Sequence, residues 1–271
     1  MTRLDLHAWV GGYPWRHLPS PDAASLRLAL EQHEFTGAWV GHLPSAWWRD
    51  PARGNAELVR DLAPHAGVLL PAPCVRPGGP RWHDQLALAR DAGADAVRAY
   101  PTIHGMGADD PAWIELGHAV AEAGLVLVLT QRFEDLRQRH HLDAAGDLSA
   151  AHVRALARAT GAHLLVGGAS RAMIEETHGG LTAPERERVW YDPSWLWGPP
   201  EDELALVLRT IGADRMVEGT GWPLRLPEQL RSARELLPPA LAGVPFASAE
   251  ALSASARTRT RADGGGDRSA R

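Results

Sequence analysis

The chain has 271 residues and a formal net charge of −5, and all 28 residues counted as Lys plus Arg are arginines. The absence of lysine excludes Schiff-base enzymes, phosphate-binding loops of the GxxxxGK[ST] type and metal bridges built on a carboxylated lysine. The single cysteine, Cys74, excludes an intramolecular disulfide and any cysteine-rich metal site. A hydrophobic content of 45% at this length predicts one globular domain with a large core.

Neither the charge nor the hydropathy of the chain points to a nucleic acid or a membrane. The mild negative charge lacks the basic excess that is typical of nucleic-acid binding. No apolar run reaches the ~18 residues that a transmembrane helix requires, and residues 1–10 lack the apolar centre of a signal peptide. We therefore expect a cytoplasmic protein whose partner is a small, anionic molecule, and a homo-oligomer is left open.

Short apolar segments alternate with longer amphipathic segments along the first half of the chain. This alternation is typical of βαβ units, in which helices connect the strands of a parallel sheet. Asp22 stands in a capping position before the first helix, and Gly93 and Gly124 stand where two later helices end. The pattern predicts strands over residues 4–10, 37–40, 68–73, 96–100 and 125–130, and helices over residues 22–32, 55–63, 81–92 and 110–123.

The second half continues the alternation. It predicts strands over residues 163–166, 189–192 and 215–218, and helices over residues 149–160, 171–177, 201–211 and 227–236. Eight strand–helix units in a chain of this size predict an α/β fold of the (β/α)8 TIM-barrel type. A doubly wound dinucleotide fold is the weaker alternative, because no GxGxxG follows the first strand. We expect residues 1–246 to form the barrel and residues 247–271 to form a disordered tail.

In a barrel of this type the active site lies at the carboxyl ends of the strands, and this rule selects candidate residues from the predicted elements. The selected side chains combine acids, bases, guanidinium groups and aromatic rings, a set suited to acid–base chemistry on an anionic or carbonyl substrate. We predict His7 or Asp192 as the general base, and Tyr100 or Gln131 as the group that polarises a carbonyl. The predicted substrate-binding residues are Arg98, Arg132, His104, Glu134, Asp135, Trp9, Trp195, Glu218 and Trp222.

Three segments of the sequence resemble a known family of barrels. Residues 4–9, Leu-Asp-Leu-His-Ala-Trp, resemble the first strand of the amidohydrolase superfamily, in the amidohydrolase-2 branch where it reads apolar-Asp-x-His-x-His. Residues 212–223 resemble the eighth-strand segment G-x-D-R-[apolar]-x-x-G-[ST]-D-[WY]-P, and residues 189–194 resemble the seventh strand. The resemblance covers about residues 1–236 and implies a TIM barrel with hydrolase or decarboxylase activity.

Most of the metal-ligand positions that the resemblance implies are occupied by other residues. His7 matches the first histidine of strand one, but Trp9 stands at the second and Gly221 stands at the eighth-strand aspartate. The fifth strand ends in Thr130-Gln131, where a histidine is expected. The sixth strand ends in glycine as well, at Gly167. One imidazole cannot hold zinc, which takes three or four protein ligands. We therefore predict no metal and no cofactor; lactonases of this branch are described as metal-independent, so activity can persist without one.

The main hypothesis is a metal-independent, amidohydrolase-like enzyme acting on a small carboxylated substrate. The reaction would be hydrolysis of a lactone, amide or ester, or a related lyase or cyclisation step. A first alternative is a catalytically inactive barrel that serves as a ligand-binding or partner subunit. A second is a metallohydrolase with relocated ligands, in which strand alternation would place Asp5 and His7 on one face, near His42 and Glu218.

Each predicted site residue also has a structural interpretation. His7 could be a buried histidine bonded to a neighbouring strand. Arg98 and Arg132 could pair with nearby carboxylates at the barrel mouth. Asp192 could cap the turn before Pro193.

Overall fold

The computed structural model describes residues 3–264 and the side chains of residues 3–257. Within this range the strands are β1 (Leu4–Val10), β2 (Gly37–His42), β3 (Leu69–Pro71), β4 (Ala96–Ala99), β5 (Val126–Thr130), β6 (His163–Gly167) and β7 (Val189–Tyr191). The helices are α1 (Ala23–Gln32), α2 (Ala52–Leu62), α3 (Trp82–Asp91), α4 (Pro111–Glu122), α5 (Ala150–Ala159), α6 (Arg171–Gly179), α7 (Ala183–Arg186), α8 (Glu203–Thr210), α9 (Glu228–Glu235) and α10 (Ala249–Gly264).

Two parallel ladders, β1-β2-β3 and β4-β5-β6-β7, make up most of the sheet. They join on one side through the Arg98 amide, which donates to the Pro73 carbonyl over 2.8 Å. On the other side residues 215–222 take the eighth position without a regular ladder. There the Val217 amide donates to the Tyr191 carbonyl over 3.0 Å, and the Leu6 amide donates to the Glu218 carbonyl over 2.9 Å. The sheet closes on itself, and the predicted (β/α)8 barrel is confirmed.

The barrel interior is filled by apolar side chains from both ladders, including Leu6, Trp39, Val128 and Trp190. A larger apolar layer lies between the strands β4–β7 and the surrounding helices. Strands buried on both faces explain why the predicted segments read as nearly continuous apolar runs. Because the interior below is packed, functional side chains have room only at the ends of the strands.

The helix α10 closes the amino-terminal end of the barrel. Ala249, Leu252 and Ala256 are buried against the barrel interior, and Arg257 pairs with Asp95, which precedes β4, at 2.6 Å. The prediction of disorder from residue 247 therefore does not hold for residues 249–257, which are helical and partly buried, and residues 265–271 lie outside the described range. Small residues at helical spacing form a narrow apolar stripe, which a composition dominated by Ala, Ser, Thr and Arg hides. Within residues 3–264, no helix combines the length and apolarity needed to cross a membrane.

A bulge in β1 sets the direction of the first functional side chains. Asp5 pairs with Ala38 and Ala8 pairs with Val40, so two residues of β1 lie opposite one residue of β2. The extra residue breaks the alternation of side chains along the strand. The expectation that Asp5 and His7 share a face is therefore wrong, and the two side chains reach different partners.

Candidate active site

His7 and Asp192 form a buried pair at the carboxyl ends of β1 and β7. The His7 Nδ1 and Asp192 Oδ2 atoms lie 2.8 Å apart, and both side chains are at most 1% exposed. The other ring nitrogen, Nε2, lies 3.1 Å from the hydroxyl of Thr130, the last residue of β5. Carboxylate, imidazole and hydroxyl thus lie in a row, in the order orienting acid, base and hydroxyl that characterises nucleophile-activating sites.

Backbone and hydroxyl donors surround the Asp192 carboxylate. Oδ2 accepts from the Gly168 amide over 2.9 Å and from the Ser194 hydroxyl over 2.9 Å, and Oδ1 accepts from the Ser194 amide over 2.8 Å. Two glycines make room for the pair. A Cβ at Gly167 would lie 2.3 Å from His7 Nε2, and one at Gly219 would lie 2.5 Å from Asp192 Cγ.

These contacts decide the protonation states of the pair. Burial alone would raise the pKa of Asp192, but the hydrogen bonds from His7, Gly168 and Ser194 outweigh it and lower that pKa. Burial lowers the pKa of His7, and the positive charges of Arg98 and Arg225 add to this effect. An ionised Asp192 therefore accepts the Nδ1 proton of a neutral His7. The lone pair of Nε2 faces Thr130.

Asp5 belongs to a second buried group beneath this pair. Its Oδ1 accepts hydrogen bonds from the His7 amide and the Thr220 amide, both at a distance of 3.0 Å. Its Oδ2 accepts one from the Thr220 hydroxyl at 2.6 Å. Burial raises the pKa of Asp5 to about 6. The carboxyl caps the bulge of β1 and ties it to residues 215–222, so its role here is to position His7.

Five aromatic side chains fill the opposite side of the mouth: Trp9, Tyr13, Trp47, Tyr100 and Phe133, named here the aromatic cluster. The Phe133 ring lies at the centre, with centroids 4.7 Å from Trp47, 5.4 Å from Tyr100 and 5.5 Å from Trp9. The Trp9 indole N–H donates to the Tyr100 hydroxyl over 3.1 Å. Trp9 therefore packs where the resemblance implies a metal-binding histidine.

Arg98 lies beneath the aromatic cluster with an unpaired charge. One of its terminal nitrogens, Nη2, donates to the carbonyls of Ala8 and Trp39, both at a distance of 3.1 Å. Its Nε and Nη1 atoms have no hydrogen-bonding partner among the described residues, and the side chain is 1% exposed. The guanidinium carbon lies 5.0 Å from the Trp9 ring. Among the described side chains no carboxylate forms an ion pair with Arg98, which differs from the structural interpretation of this residue, and Tyr100 is the polar side chain beside it.

Two other arginines flank Trp195 at the edge of the mouth. Arg225 stacks on the Trp195 ring at 3.6 Å, and Arg132 lies 5.7 Å from the same ring. Arg132 pairs with Asp147 at 2.6 Å, whereas Arg225 donates to the Ser194 carbonyl over 3.1 Å. Burial lowers the pKa of Arg225 to about 10, so this guanidinium remains charged at neutral pH.

Cavities lie on both sides of Phe133. One, of about 20 Å³, is bordered by Thr130, Tyr100, Gln131 and Arg132 and is large enough for one water molecule. The other, of about 190 Å³, is bordered by Phe133, Trp195 and Arg225. Phe133 lines both, so the segment around this residue lies between the polar pair's side of the mouth and the larger cavity.

Several predicted binding residues have partners away from the His7–Asp192 pair. Gln131 exchanges two hydrogen bonds with Ser170, at 2.6 and 3.1 Å. The His104 ring bonds the Ala46 carbonyl over 3.1 Å, and burial lowers its pKa to about 4. Glu134 accepts from Arg16 over 2.5 Å. Such contacts favour structural roles for these three side chains.

Three further predicted residues have partners of their own, and of these Asp135 borders the cavity of about 190 Å³ whereas Glu218 and Trp222 do not. Asp135 is bound by Arg137, which holds the pKa of that carboxyl well below its usual range. Glu218 pairs with Arg3 at 2.5 Å and with Arg234, so it points away from His7. The predicted binding role of Glu218 is not supported by this position. Trp222 packs against the outer layer of β1 and β2, because the chain turns after residue 221.

Thr130 and Arg225 were not among the predicted site residues. Thr130 ends an apolar strand and carries no charge, and only its place at a strand end could have drawn attention to it. Arg225 follows the eighth-strand motif by two residues, in the loop where barrel enzymes carry site residues. Because Arg225 lies outside the motif itself, the comparison with the motif did not select it.

The residues at the implied metal positions do not fit a metal ion. His7 is committed to Asp192 and Thr130 on its two nitrogens, Trp9 offers only an N–H donor, and Gln131 is bonded to Ser170. Over the described side chains, no three His, Cys, Asp or Glu residues are grouped so that they could hold a metal. The relocated set of Asp5, His7, His42 and Glu218 does not converge: His42 bonds Ser45 over 2.8 Å.

Comparisons with known proteins agree with the barrel. No family model matches the sequence, and neither does any curated protein. Similar solved structures include a TIM-barrel protein from Bordetella bronchiseptica (TM-score 0.67, 15% identity, 94% of this chain and 99% of that one). A second is the manganese-bound D314N mutant of a 5-carboxyvanillate decarboxylase from Novosphingobium aromaticivorans (0.66, 11%, 93% and 97%). A third is a probable 2-pyrone-4,6-dicarboxylic acid hydrolase from Acinetobacter baumannii, with citric acid bound (0.57, 12%, 89% and 90%).

At these identities the likeness concerns the fold, which extends over nearly the whole of each chain. The similar structures include proteins named as a probable hydrolase, a putative amidohydrolase and a decarboxylase. The architecture that the resemblance of the first and eighth strands implied is thereby confirmed: this chain folds as a TIM barrel.

Proposed function

We propose that this barrel is a metal-independent hydrolase of small carboxylated esters or lactones. The observation that carries the proposal is the buried His7–Asp192 pair at the carboxyl ends of the strands. An ionised carboxylate fixes a neutral imidazole there, with one nitrogen free to take a proton. His7 is the base and Asp192 orients it. This proton transfer needs no metal ion, so it does not depend on the metal-ligand positions that the chain has lost.

A small excess of positive charge at the mouth supports an anionic substrate, because Arg16, Arg137 and Arg225 line the larger cavity against two carboxylates, Glu134 and Asp135. Arg225 is charged, partly buried and stacked on Trp195, and it borders the cavity of about 190 Å³. A guanidinium in this setting binds a carboxylate through two parallel hydrogen bonds. The similar structures named for 5-carboxyvanillate and for 2-pyrone-4,6-dicarboxylic acid concern carboxylated compounds, which agrees with this choice.

Phe133 must move for such a substrate to reach the pair. Phe133 borders the cavity next to Thr130 and the cavity next to Arg225, and in this proposal a displacement of its side chain joins them. The substrate would then place its carboxylate at Arg225 and its scissile carbonyl near Thr130. In this arrangement Tyr100, whose pKa burial raises to about 12, keeps its proton and can donate to the carbonyl oxygen.

The test uses two activated esters, 4-nitrophenyl hydrogen succinate and 4-nitrophenyl butyrate, in which a terminal carboxylate replaces a methyl group. Because the succinate's own carboxylate attacks its ester, the rate of each ester without protein is subtracted. We expect faster hydrolysis of the succinate, and we expect Arg225→Gln to raise its KM about 10- to 100-fold while leaving the butyrate unchanged. Arg231→Gln, on the exposed side of α9, is the matched control. Equal rates for both esters in the native protein, or no turnover after metal-chelating dialysis, would overturn the proposal.

A ligand-binding protein without catalysis is the second candidate. It is favoured by the aromatic cluster, which fills the mouth and leaves room for about one water beside Thr130. This candidate predicts that small carboxylates bind and raise the thermal stability, while neither ester is turned over.

A further inference from the structure

We propose that Thr130 is a nucleophile that forms a covalent acyl-enzyme, with His7 and Asp192 as its activating pair. The inference deepens the proposed hydrolase function and rests on it. The proposed function makes His7 a proton acceptor but does not say which group gives the proton. The inference assigns that role to the Thr130 hydroxyl at the end of β5.

Access to the pair carries the argument. His7 is 1% exposed and Asp192 is 0% exposed, and neither borders the cavity beside β5. Thr130 does border that cavity, and its hydroxyl oxygen lies 3.1 Å from His7 Nε2. Gly167 covers the same nitrogen so closely that a Cβ there would lie 2.3 Å away. A substrate that enters this cavity once Phe133 has moved therefore reaches Thr130 before it can reach His7.

The order of hydrogen bonds from Asp192 through His7 to Thr130 gives a second reason to assign the nucleophile to Thr130. The Nδ1 proton of His7 is held by Asp192, so Nε2 is the proton-accepting nitrogen, and the Thr130 hydroxyl is the group placed to donate to it. Asp192 in turn accepts from Gly168 and Ser194, which fix its direction. A structural threonine at a strand end would need none of this support, since its hydroxyl could bond a backbone carbonyl.

The proposed reaction has two balanced halves. Thr130 Oγ gives its proton to His7 Nε2 and bonds to the carbonyl carbon, and the ester C–O bond breaks as His7 returns the proton to the leaving alkoxide. Water then gives a proton to Nε2, and the resulting hydroxide attacks the acyl carbon. The bond to Thr130 Oγ breaks, Oγ recovers the proton from His7, and the carboxylic acid leaves.

Covalent labelling separates this inference from the proposed function. The native protein is mixed with 4-nitrophenyl hydrogen succinate, quenched in acid during turnover, digested and analysed by mass spectrometry, and a fluorophosphonate is used in parallel. We expect one succinyl or phosphonyl group on Thr130. We expect the adduct to be lost in Thr130→Val and in His7→Gln, to persist in Thr130→Ser, and to be unaffected in Thr177→Val, a buried threonine on α6.

The outcomes are distinct. Turnover that persists in a folded Thr130→Val variant, or labelling at another residue, would overturn the nucleophile and leave the hydrolase proposal standing. If neither ester is turned over, the hydrolase proposal fails, and the fluorophosphonate still decides on Thr130. Failure to label a native protein whose thermal unfolding is normal overturns the inference. Thr130→Ser keeps the hydroxyl and guards against a loss caused by misfolding.

Discussion

The two sides of the barrel mouth differ in whether their buried polar atoms have hydrogen-bond partners. On the polar side, each side-chain nitrogen and oxygen of His7 and Asp192 has a partner. On the aromatic side, the Trp47 indole N–H and two nitrogens of Arg98 have no partner among the described residues. His7 and Trp9 stand two positions apart on β1, with ring centroids 4.3 Å apart, yet they belong to different sides.

The difference shows which half is built for a fixed geometry. A fully satisfied buried network holds its members in one arrangement, whereas partly satisfied groups tolerate rearrangement. We infer that the polar side is the chemical centre and the aromatic cluster is its movable cover. The following predictions test this division, beginning with the largest effect.

Asp192→Asn should abolish most turnover of the carboxylated ester. The amide group would favour the other tautomer of His7, leaving Nε2 protonated and unable to take a proton from Thr130. We expect kcat to fall about 10³- to 10⁴-fold. Steady-state kinetics measure the effect, with the exposed Asp214→Asn as control. A decrease of less than tenfold in a folded variant would show that the polar side is not the chemical centre.

Phe133→Ala should destabilise the aromatic side and open the polar side. Deleting a buried phenylalanine typically costs about 3–5 kcal/mol, and the lost ring would join the two cavities. Urea unfolding measures the first effect, and the rate of fluorophosphonate labelling at Thr130 measures the second, which we expect to rise. Phe133→Leu keeps most of the volume and should lie near the native protein. An unchanged labelling rate would contradict the covering role.

Asp5 should make the protein less stable as the pH rises. Its pKa is raised from 3.8 to about 6 in the folded state, so the folded chain binds the proton more tightly than the unfolded chain. The stability that this provides is present below pH 3.8 and is lost as the pH rises through about 6, a change of about 3 kcal/mol. Urea unfolding between pH 4 and 7.5 should show this decline.

Asp5→Asn should remove that part of the decline, because the amide keeps an acceptor for the His7 and Thr220 amides without titrating. The exposed Asp109→Asn is the control and should keep the native pH dependence. Parallel curves for the native protein and Asp5→Asn would show that Asp5 does not titrate in this range.

Arg98→Met should give the smallest effect, a shift in the pH profile. The Arg98 charge lowers the pKa of His7, so its removal should raise that pKa. The acid limb of the kcat/KM profile, which requires neutral His7, should then move to higher pH. Arg90→Met, exposed on α3, should leave the profile in place. An unmoved acid limb would mean that the aromatic side exerts no electrostatic influence on the pair.

The sequence predicted the barrel well because its signal is repeated along the chain, as alternating apolar strands and capped helices. It also named His7 and Asp192, since strand ends select them. It could not show that the bulge in β1 gives the side chains of Asp5 and His7 different partners, because a bulge depends on pairing with β2. The sequence also could not show the surroundings of Glu218 and Trp222, because residues 215–222 form no regular ladder and counting along a strand fails there.

Helix α10, which covers the amino-terminal end of the barrel, has a consequence for biosynthesis. Leu252 and Ala256 complete the interior that Leu6 begins, so residues near both ends of the described chain meet in one apolar cluster. A nascent chain shorter than about 257 residues would leave that interior open to water. Strand pairing can begin during translation, but the finished barrel must form after residues 249–257 have left the ribosome. Stalled or shortened chains should therefore depend on chaperones that shield the open end.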